Sequence, residues 1–334
     1  MHPAYAHVGG KARYKVLEKK IGDTPLQALE ELRRKNDWLQ SVPLTYAGRL
    51  DPMAEGKLLI LIGDECKVRE RYDGLDKEYE FEVLLGFSSD TGDVLGMAEA
   101  SGESYIEHSK KELEHVLKPR PACNACLRAT THSSHPLCTC STFRIPTRCL
   151  ACGNMHLGSD TPVFRHTLEK IARSFVGTHE LNYPAFSSKT INGKPLFQHA
   201  LEGTLPHNTP TTKVHIYRMK YLGKESVERG ELIERIVKKI NTLQAPADSG
   251  KIGADFRKNE IVERWHSFKN AQEKGCTLLR FKAVVSSGTY IRVLAPLIAE
   301  RLGTSGLAYS IRRTEIGRYR SVFSSLGFWS RIFK

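Results

Sequence analysis

Eleven residues near the start, Tyr46-Ala-Gly-Arg-Leu-Asp-Pro-Met-Ala-Glu-Gly56, constrain this chain more than any other segment. They set one carboxylate, Asp51, between Gly48 and Pro52, with Gly56 just beyond. Glycine reaches backbone shapes that other residues avoid, and proline fixes its own φ. An aspartate framed in this way is held rigidly and can be presented to a ligand. The same residues also read as a turn or helix-capping aspartate ahead of the apolar run Leu58-Leu59-Ile60-Leu61-Ile62. On this segment alone both readings stand.

The rest of the chain mixes two periodicities. In Glu78–Leu85, Tyr79, Phe81, Val83 and Leu85 alternate with Glu78, Glu80 and Glu82, the pattern of a half-buried strand. Tyr79 then belongs to the apolar face, as a core tyrosine or as a ligand contact. A second alternating strand, through Leu279, Phe281, Ala283 and Val285, runs into Ser286-Ser-Gly-Thr-Tyr-Ile-Arg292. A third is expected near 213–222. Helical spacing is expected from Thr24 to Trp38, with Leu26, Leu29 and Leu32 on one side, and from Val163 to Phe175. Glu231 to Leu243 carries the clearest stripe (Leu232, Ile233, Ile236, Val237, Ile240). Arg292 to Leu302 should be helical and stop at Gly303. Strands and helices without strict βαβ repetition indicate an α+β fold.

Further segments complete a pattern. Lys19-Lys-Ile-Gly-Asp-Thr-Pro25 loosely matches Lys-Pro-x-Gly-x-Thr-Ser, and Gly48–Gly56 matches Gly-x-Leu-Asp-Pro-x-Ala-x-Gly. Lys77 and Tyr79 match Lys-x-Tyr, followed by the acidic loop Asp90-Thr91-Gly92-Asp93. Pro184–Lys189 matches Pro-x-Phe/Tyr-Ser-x-x-Lys, and Gly288–Arg292 is Gly-Thr-Tyr-Ile-Arg. Ile311-Arg-Arg-Thr-Glu-Ile-Gly317 lies near the end. In this order the segments resemble the TruB family of pseudouridine synthases.

The resemblance implies a mixed, largely antiparallel sheet with flanking helices and a catalytic cleft across it. It implies isomerisation of uridine to pseudouridine in RNA, with uridine 55 in the T-arm loop of tRNA as the target. By resemblance Asp51, Tyr79 and Arg292 are catalytic. Tyr46, Gly48, Arg49, Lys19, Lys77, Phe186, Lys189, Tyr290 and Ile311 would contact substrate. Breaking the glycosidic bond and rejoining the ribose carbon to C5 needs a group to meet the electron-poor sugar, and a carboxylate suits this. An arginine beside it keeps it ionised. Tyr79 would stack on the extruded base. The family often has histidine two residues before its Gly-x-Leu-Asp-Pro motif, where this chain has Tyr46. Tyrosine can stack but takes no proton. Lys20 and Pro25 are further departures, at the usual proline and serine. A non-catalytic RNA-binding or tRNA-folding protein derived from a synthase is the alternative, and Tyr46 gives it room.

Composition fits a polyanionic partner. Among 334 residues, 50 Lys and Arg against 37 Asp and Glu give a formal charge of +13. The 40% hydrophobic content suffices for a sizeable core, and no apolar run approaches a membrane span of roughly 20 residues. We expect a cytoplasmic monomer that needs no nucleotide or metal for catalysis. Two interruptions break the family pattern, so the expected organisation is catalytic residues 1–103, a Cys-rich insertion at 104–160, and catalytic residues 161–334. The insertion holds Cys123-x-x-Cys126, Cys138-x-Cys140 and Cys149-x-x-Cys152. A structural zinc on Cys123, Cys126, Cys149 and Cys152 and an unordered insertion are both open readings. Ala245–Asn259 reads as a surface loop. Only a short tail is expected after Arg313, too short for the RNA-binding PUA domain of many relatives, which points to the stand-alone bacterial type.

Overall fold

A computed structural model describes residues 7–8, 11–101, 162–206, 208–243, 257–269, 275–323 and 326–334. The cysteine pairs of the expected insertion, and most of the expected loop at 245–259, lie outside these residues. Nine strands form one sheet. They are β1 (Tyr14–Lys19), β2 (Leu44–Ala47), β3 (Ala54–Ile62), β4 (Asp76–Leu85), β5 (Gly177–Asn182), β6 (Thr211–Glu228), β7 (Gly275–Val285), β8 (Gly306–Phe323) and β9 (Leu326–Ile332). Their order is β1-β3-β8-β4-β7-β6-β5, with β2 also on β3 and β9 also on β8. β3 and β8 run parallel, and every other pair is antiparallel. The fold is therefore α+β with a mixed, largely antiparallel sheet. Strands from both sides of residues 102–161 interleave, since β8 sits between β3 and β4.

Among the described residues, five helices of ten residues or more flank the sheet: α1 (Pro25–Arg34), α2 (Pro162–Ser174), α3 (Arg229–Asn241), α4 (Lys258–Ser267) and α5 (Ile291–Glu300). α1 starts at a capping box. Thr24 Oγ1 accepts from the Gln27 N–H, and the Gln27 side chain accepts from the Thr24 N–H. It is shorter than the expected 24–38 helix, and a 3₁₀ turn follows at Asp37–Leu39. Its buried face is Ala28, Leu29 and Leu32, while Leu26 is 55% exposed, contrary to expectation. At the second position of the helix, Leu26 faces away from the stripe that Ala28, Leu29 and Leu32 form. In α3 the stripe reads as expected, with Leu232, Ile233, Ile236 and Ile240 fully buried. Lys258 and Asn259, expected in a loop, open α4, which anchors Trp265 by an indole N–H to the Val94 carbonyl at 3.0 Å.

The main core lies between helices and sheet, where Phe81 of β4 stacks on Phe281 of β7 at 5.7 Å. A second cluster gathers Ala47, Leu59, Leu61, Leu75, Ile316 and Phe333. The segment beyond Arg313 is more than a tail. Arg313 falls in the middle of the eighteen-residue β8, which turns back as β9. Among the described residues no helix is long and apolar enough to cross a membrane.

Candidate active site

The loop joining β2 to β3 carries Asp51 and is fastened at several points. Gly48 N–H donates to Asp73 Oδ1 at 3.2 Å, Gly22 N–H to the Pro52 carbonyl at 2.9 Å, and Ala54 N–H to the Asp51 carbonyl at 3.0 Å. Asp51 thus closes a turn with its backbone, as the plainer sequence reading had it, while its side chain does something else. Arg313, only 1% exposed, reaches under the loop from β8. Its Nη2 donates to the Gly48 carbonyl (3.0 Å), Nη1 to Arg49 (3.4 Å) and Nε to Lys57 (2.6 Å). Gly56 stands opposite Arg313 in the parallel pairing, with φ of +104°. A Cβ there would lie 2.3 Å from the Arg313 carbonyl oxygen, so the two strands meet this closely only with glycine.

Arg292, the second residue of α5, is 4% exposed. Its Nε donates to Asp51 Oδ2 at 2.8 Å and lies 3.4 Å from Asp93 Oδ2. Nη1 donates to the Thr91 carbonyl at 2.9 Å and Nη2 to the Phe186 carbonyl at 3.1 Å. Burial works against the guanidinium charge, but Asp51 and Asp93 outweigh it and its pKa rises. Of the two carboxylates, Asp51 keeps 28% of its side chain exposed and Asp93 only 5%. Burial pushes the Asp93 carboxyl up to about 6, against the pull of Arg292 and of Thr91 Oγ1, which donates to it at 2.8 Å. The cation therefore stands behind Asp51, and the carboxylate presents itself outward with its rotamer fixed.

The strands bring the other expected residues close. Tyr79, 7% exposed, stands opposite Arg313 and Ala283 in the β4 register. Ile311, two residues before Arg313, pairs with Ala54 and Phe81. Lys77 and Lys19 are buried and serve the loops. Lys77 Nζ donates to the Leu75 carbonyl at 2.5 Å, Asp73 at 3.1 Å and Ser287 Oγ at 3.2 Å, and burial, aided by the Arg313 charge, lowers its pKa to about 7. Lys19 Nζ donates to the carbonyls of Asp23 (2.7 Å) and Lys20 (2.9 Å), with its pKa lowered to about 8 by burial. Both ammonium groups hold backbone in place.

Aromatic residues form the outer part. Tyr290 packs edge-on against Tyr183 at 5.9 Å, and burial and the charge of Asp51 raise its phenol pKa. Lys189 Nζ stands 5.3 Å over the Tyr183 ring, and the Arg257 guanidinium lies 4.8 Å over Phe186. Tyr46 accepts from Arg49 at 3.4 Å and has Arg69 over its ring at 5.6 Å. Asp51, Arg292 and Phe186 thus meet directly, and Gly48, Arg49 and Lys77 meet around Asp73 and Arg313. Lys189 and Tyr290 both lie against Tyr183. Reading the sequence missed the roles of Arg313, Asp93 and Asp73. The first two lie in segments already marked, Ile311–Gly317 and Asp90–Asp93, where a basic pair and an acidic loop were the available signals.

Residues 38–121 match the model of the TruB family pseudouridylate synthase (N terminal domain). The chain is 22% identical over 275 residues to the tRNA pseudouridine synthase B of Geobacillus kaustophilus, a match covering 82% of this chain. Over residues 38–121 this chain is similar to the TruB family. A eukaryotic relative, tRNA pseudouridine synthase 4 of Saccharomyces cerevisiae, is 26% identical over 301 residues, again 82% of this chain. The chain spans 61% and 60% of those two proteins' own lengths. A solved Cbf5-Nop10-Gar1 complex shows a slighter likeness to this chain. It is 13% identical, with a TM-score of 0.43, over 91% of this chain and 49% of that one.

Proposed function

We propose that this chain isomerises uridine to pseudouridine in tRNA, at uridine 55 of the T-arm loop. The observation that carries the reading is the Asp51–Arg292 pair, in which a buried cation steadies a partly exposed carboxylate on a fastened loop. The names of the two relatives, a bacterial and a yeast tRNA pseudouridine synthase, support the class of substrate.

In the proposed reaction the target nucleotide is extruded into the cleft. Asp51 meets C1′ of the ribose, by attack or by assisting elimination, as the bond from C1′ to N1 breaks. The uracil turns, C5 bonds to C1′, the C5 proton passes to a base, the role the resemblance gives Tyr79, and N1 takes a proton from solvent. Atoms and electrons balance within the substrate, so the proposed catalysis uses no metal, nucleotide or redox cofactor. Tyr79 would stack on the base and Ile311 would pack against it. Tyr46 and Arg49 at the rim would brace the opened loop, with Gly48 carrying the backbone beneath them. Tyr290, Phe186 and Lys189 would line the approach, and Lys19 and Lys77 would hold the site's backbone. We further propose a cytoplasmic monomer.

The test is position-resolved mapping of pseudouridine in an unmodified tRNA transcript after incubation with the protein. Product at uridine 55 is expected. Product elsewhere would keep the reaction and change the target. Tight binding without product at any position would favour the non-catalytic RNA-binding reading, for which Tyr46 in place of histidine is the specific observation.

A further inference from the structure

Beyond Gly317, β8 leaves β4 and pairs with β9 alone among the described strands. This hairpin is firmly rooted. Phe333 and Ile316 are buried in the second core cluster, and Tyr319 N–H donates to Asp76 Oδ2 at 2.8 Å. On one face Tyr319 packs edge-on against Trp329 at 5.2 Å and lies 5.4 Å from Tyr217. Gly317 lets the strands close, because a Cβ there would lie 1.9 Å from the Arg331 carbonyl oxygen.

The opposite face has a different character. Arg318 and Arg320 alternate along β8 and so share it, and Val322 follows them at a break in the pairing register. The register sets Arg331 opposite Arg318, and Phe328 opposite Arg320. All five side chains are exposed, Phe328 by 54% and Val322 by 55%. Among the described residues, Arg318 and Arg320 meet no carboxylate. Arg331 leans over the Phe333 ring at 4.5 Å. The hairpin thus displays three arginines and an exposed phenylalanine on one face, with no acid among the described residues to neutralise them. Its root pairs with β4 at Asp76 and Lys77, beside the candidate site. At about 3.3 Å per residue, Arg318 lies roughly 16 Å along β8 from Arg313, which holds the Asp51 loop.

We infer that this face of the β8–β9 hairpin is an RNA-docking surface, on which Arg318, Arg320 and Arg331 take phosphates of the substrate flanking the target uridine and Phe328 stacks on a base or sugar. The inference rests on the RNA-directed reading above. Charge selects the occupant. Unneutralised arginines favour a polyanion, and an aromatic ring among them suits nucleic acid, whose bases stack on such rings.

The experiment is a salt titration of unmodified tRNA transcript binding to the full chain, for wild type, the Arg318→Ala/Arg320→Ala double variant, an Arg318→Lys/Arg320→Lys variant and Phe328→Ala. Thermal melting checks that each is folded. The double alanine variant should bind at least tenfold more weakly at moderate salt. The slope of log K against log salt should fall by about 1.4 to 1.8, two phosphate contacts' worth. The lysine variant should restore the slope. Phe328→Ala should weaken binding and leave the slope in place. Affinity and slope unchanged in the alanine variants would overturn the inference and leave the face to a protein partner. Wild-type pseudouridine formation is scored separately. Its absence with an altered slope would sink the synthase reading and keep the docking surface. Its presence with an unaltered slope would do the reverse.

Discussion

Arg292 is the residue on which the site turns, because its side chain's four contacts come from three different segments. Lysine would keep the charge and lose the planar fork that serves Asp51, Thr91 and Phe186 at once. Arg292→Lys should therefore reduce turnover by about 10²- to 10³-fold, read in single-turnover assays at saturating RNA. A loss under tenfold would mean that a point charge is enough. Asp93 behind it makes a second prediction. Its carboxyl ordinarily titrates at 3.8 and does so at about 6 in the fold. The folded state holds this proton more tightly than the unfolded chain. The group's contribution to stability is then greatest below its unfolded pKa and declines as pH rises through about 6, by roughly 3 kcal/mol. Denaturant unfolding of wild type and Asp93→Asn across this range should diverge with that sign. Parallel curves would show that Asp93 does not titrate as described.

At the scale of elements, the parallel contact between β3 and β8 builds the site floor. Arg313 gives three backbone carbonyls of the Asp51 loop and β3 their donor. Arg313→Met should lower stability by roughly 3 kcal/mol through those unpaired buried acceptors, and turnover should fall further than RNA affinity. Chemical denaturation beside binding would show it, and an undiminished turnover would leave Arg313 a purely structural residue. This contact also marks where sequence reading ran out. Asp51, Tyr79 and Arg292 each sit in a segment with its own local signature, so they could be named as a set. Arg313 meets Lys57, 256 positions away, through strand pairing that no local pattern encodes. The dense charges Arg312, Arg313 and Glu315 likewise hid an eighteen-residue strand, since Arg313 is buried by its neighbours and not by its own character. Leu26 went the other way, apolar by type and exposed because its helix turns it outward.

Across the whole molecule, one sheet takes strands from both sides of residues 102–161, so the Asp51 loop and Arg292 owe their meeting to the complete sheet order. The alternating segments and the α3 stripe made the α+β class legible, while the order of the strands depends on long-range pairing. Pseudouridine formation should survive exhaustive dialysis against a chelator. Loss of product that zinc restores would instead give the segment around Cys123 and Cys152 a part in the active protein. The most direct test places wild type beside Asp51→Asn on the same unmodified tRNA transcript, with product and binding both measured. Asparagine keeps the size of the side chain and removes the charge that Arg292 steadies. Product is predicted from wild type alone, with RNA affinity of the variant within a few fold. Retained turnover in Asp51→Asn would contradict the role assigned to this carboxylate.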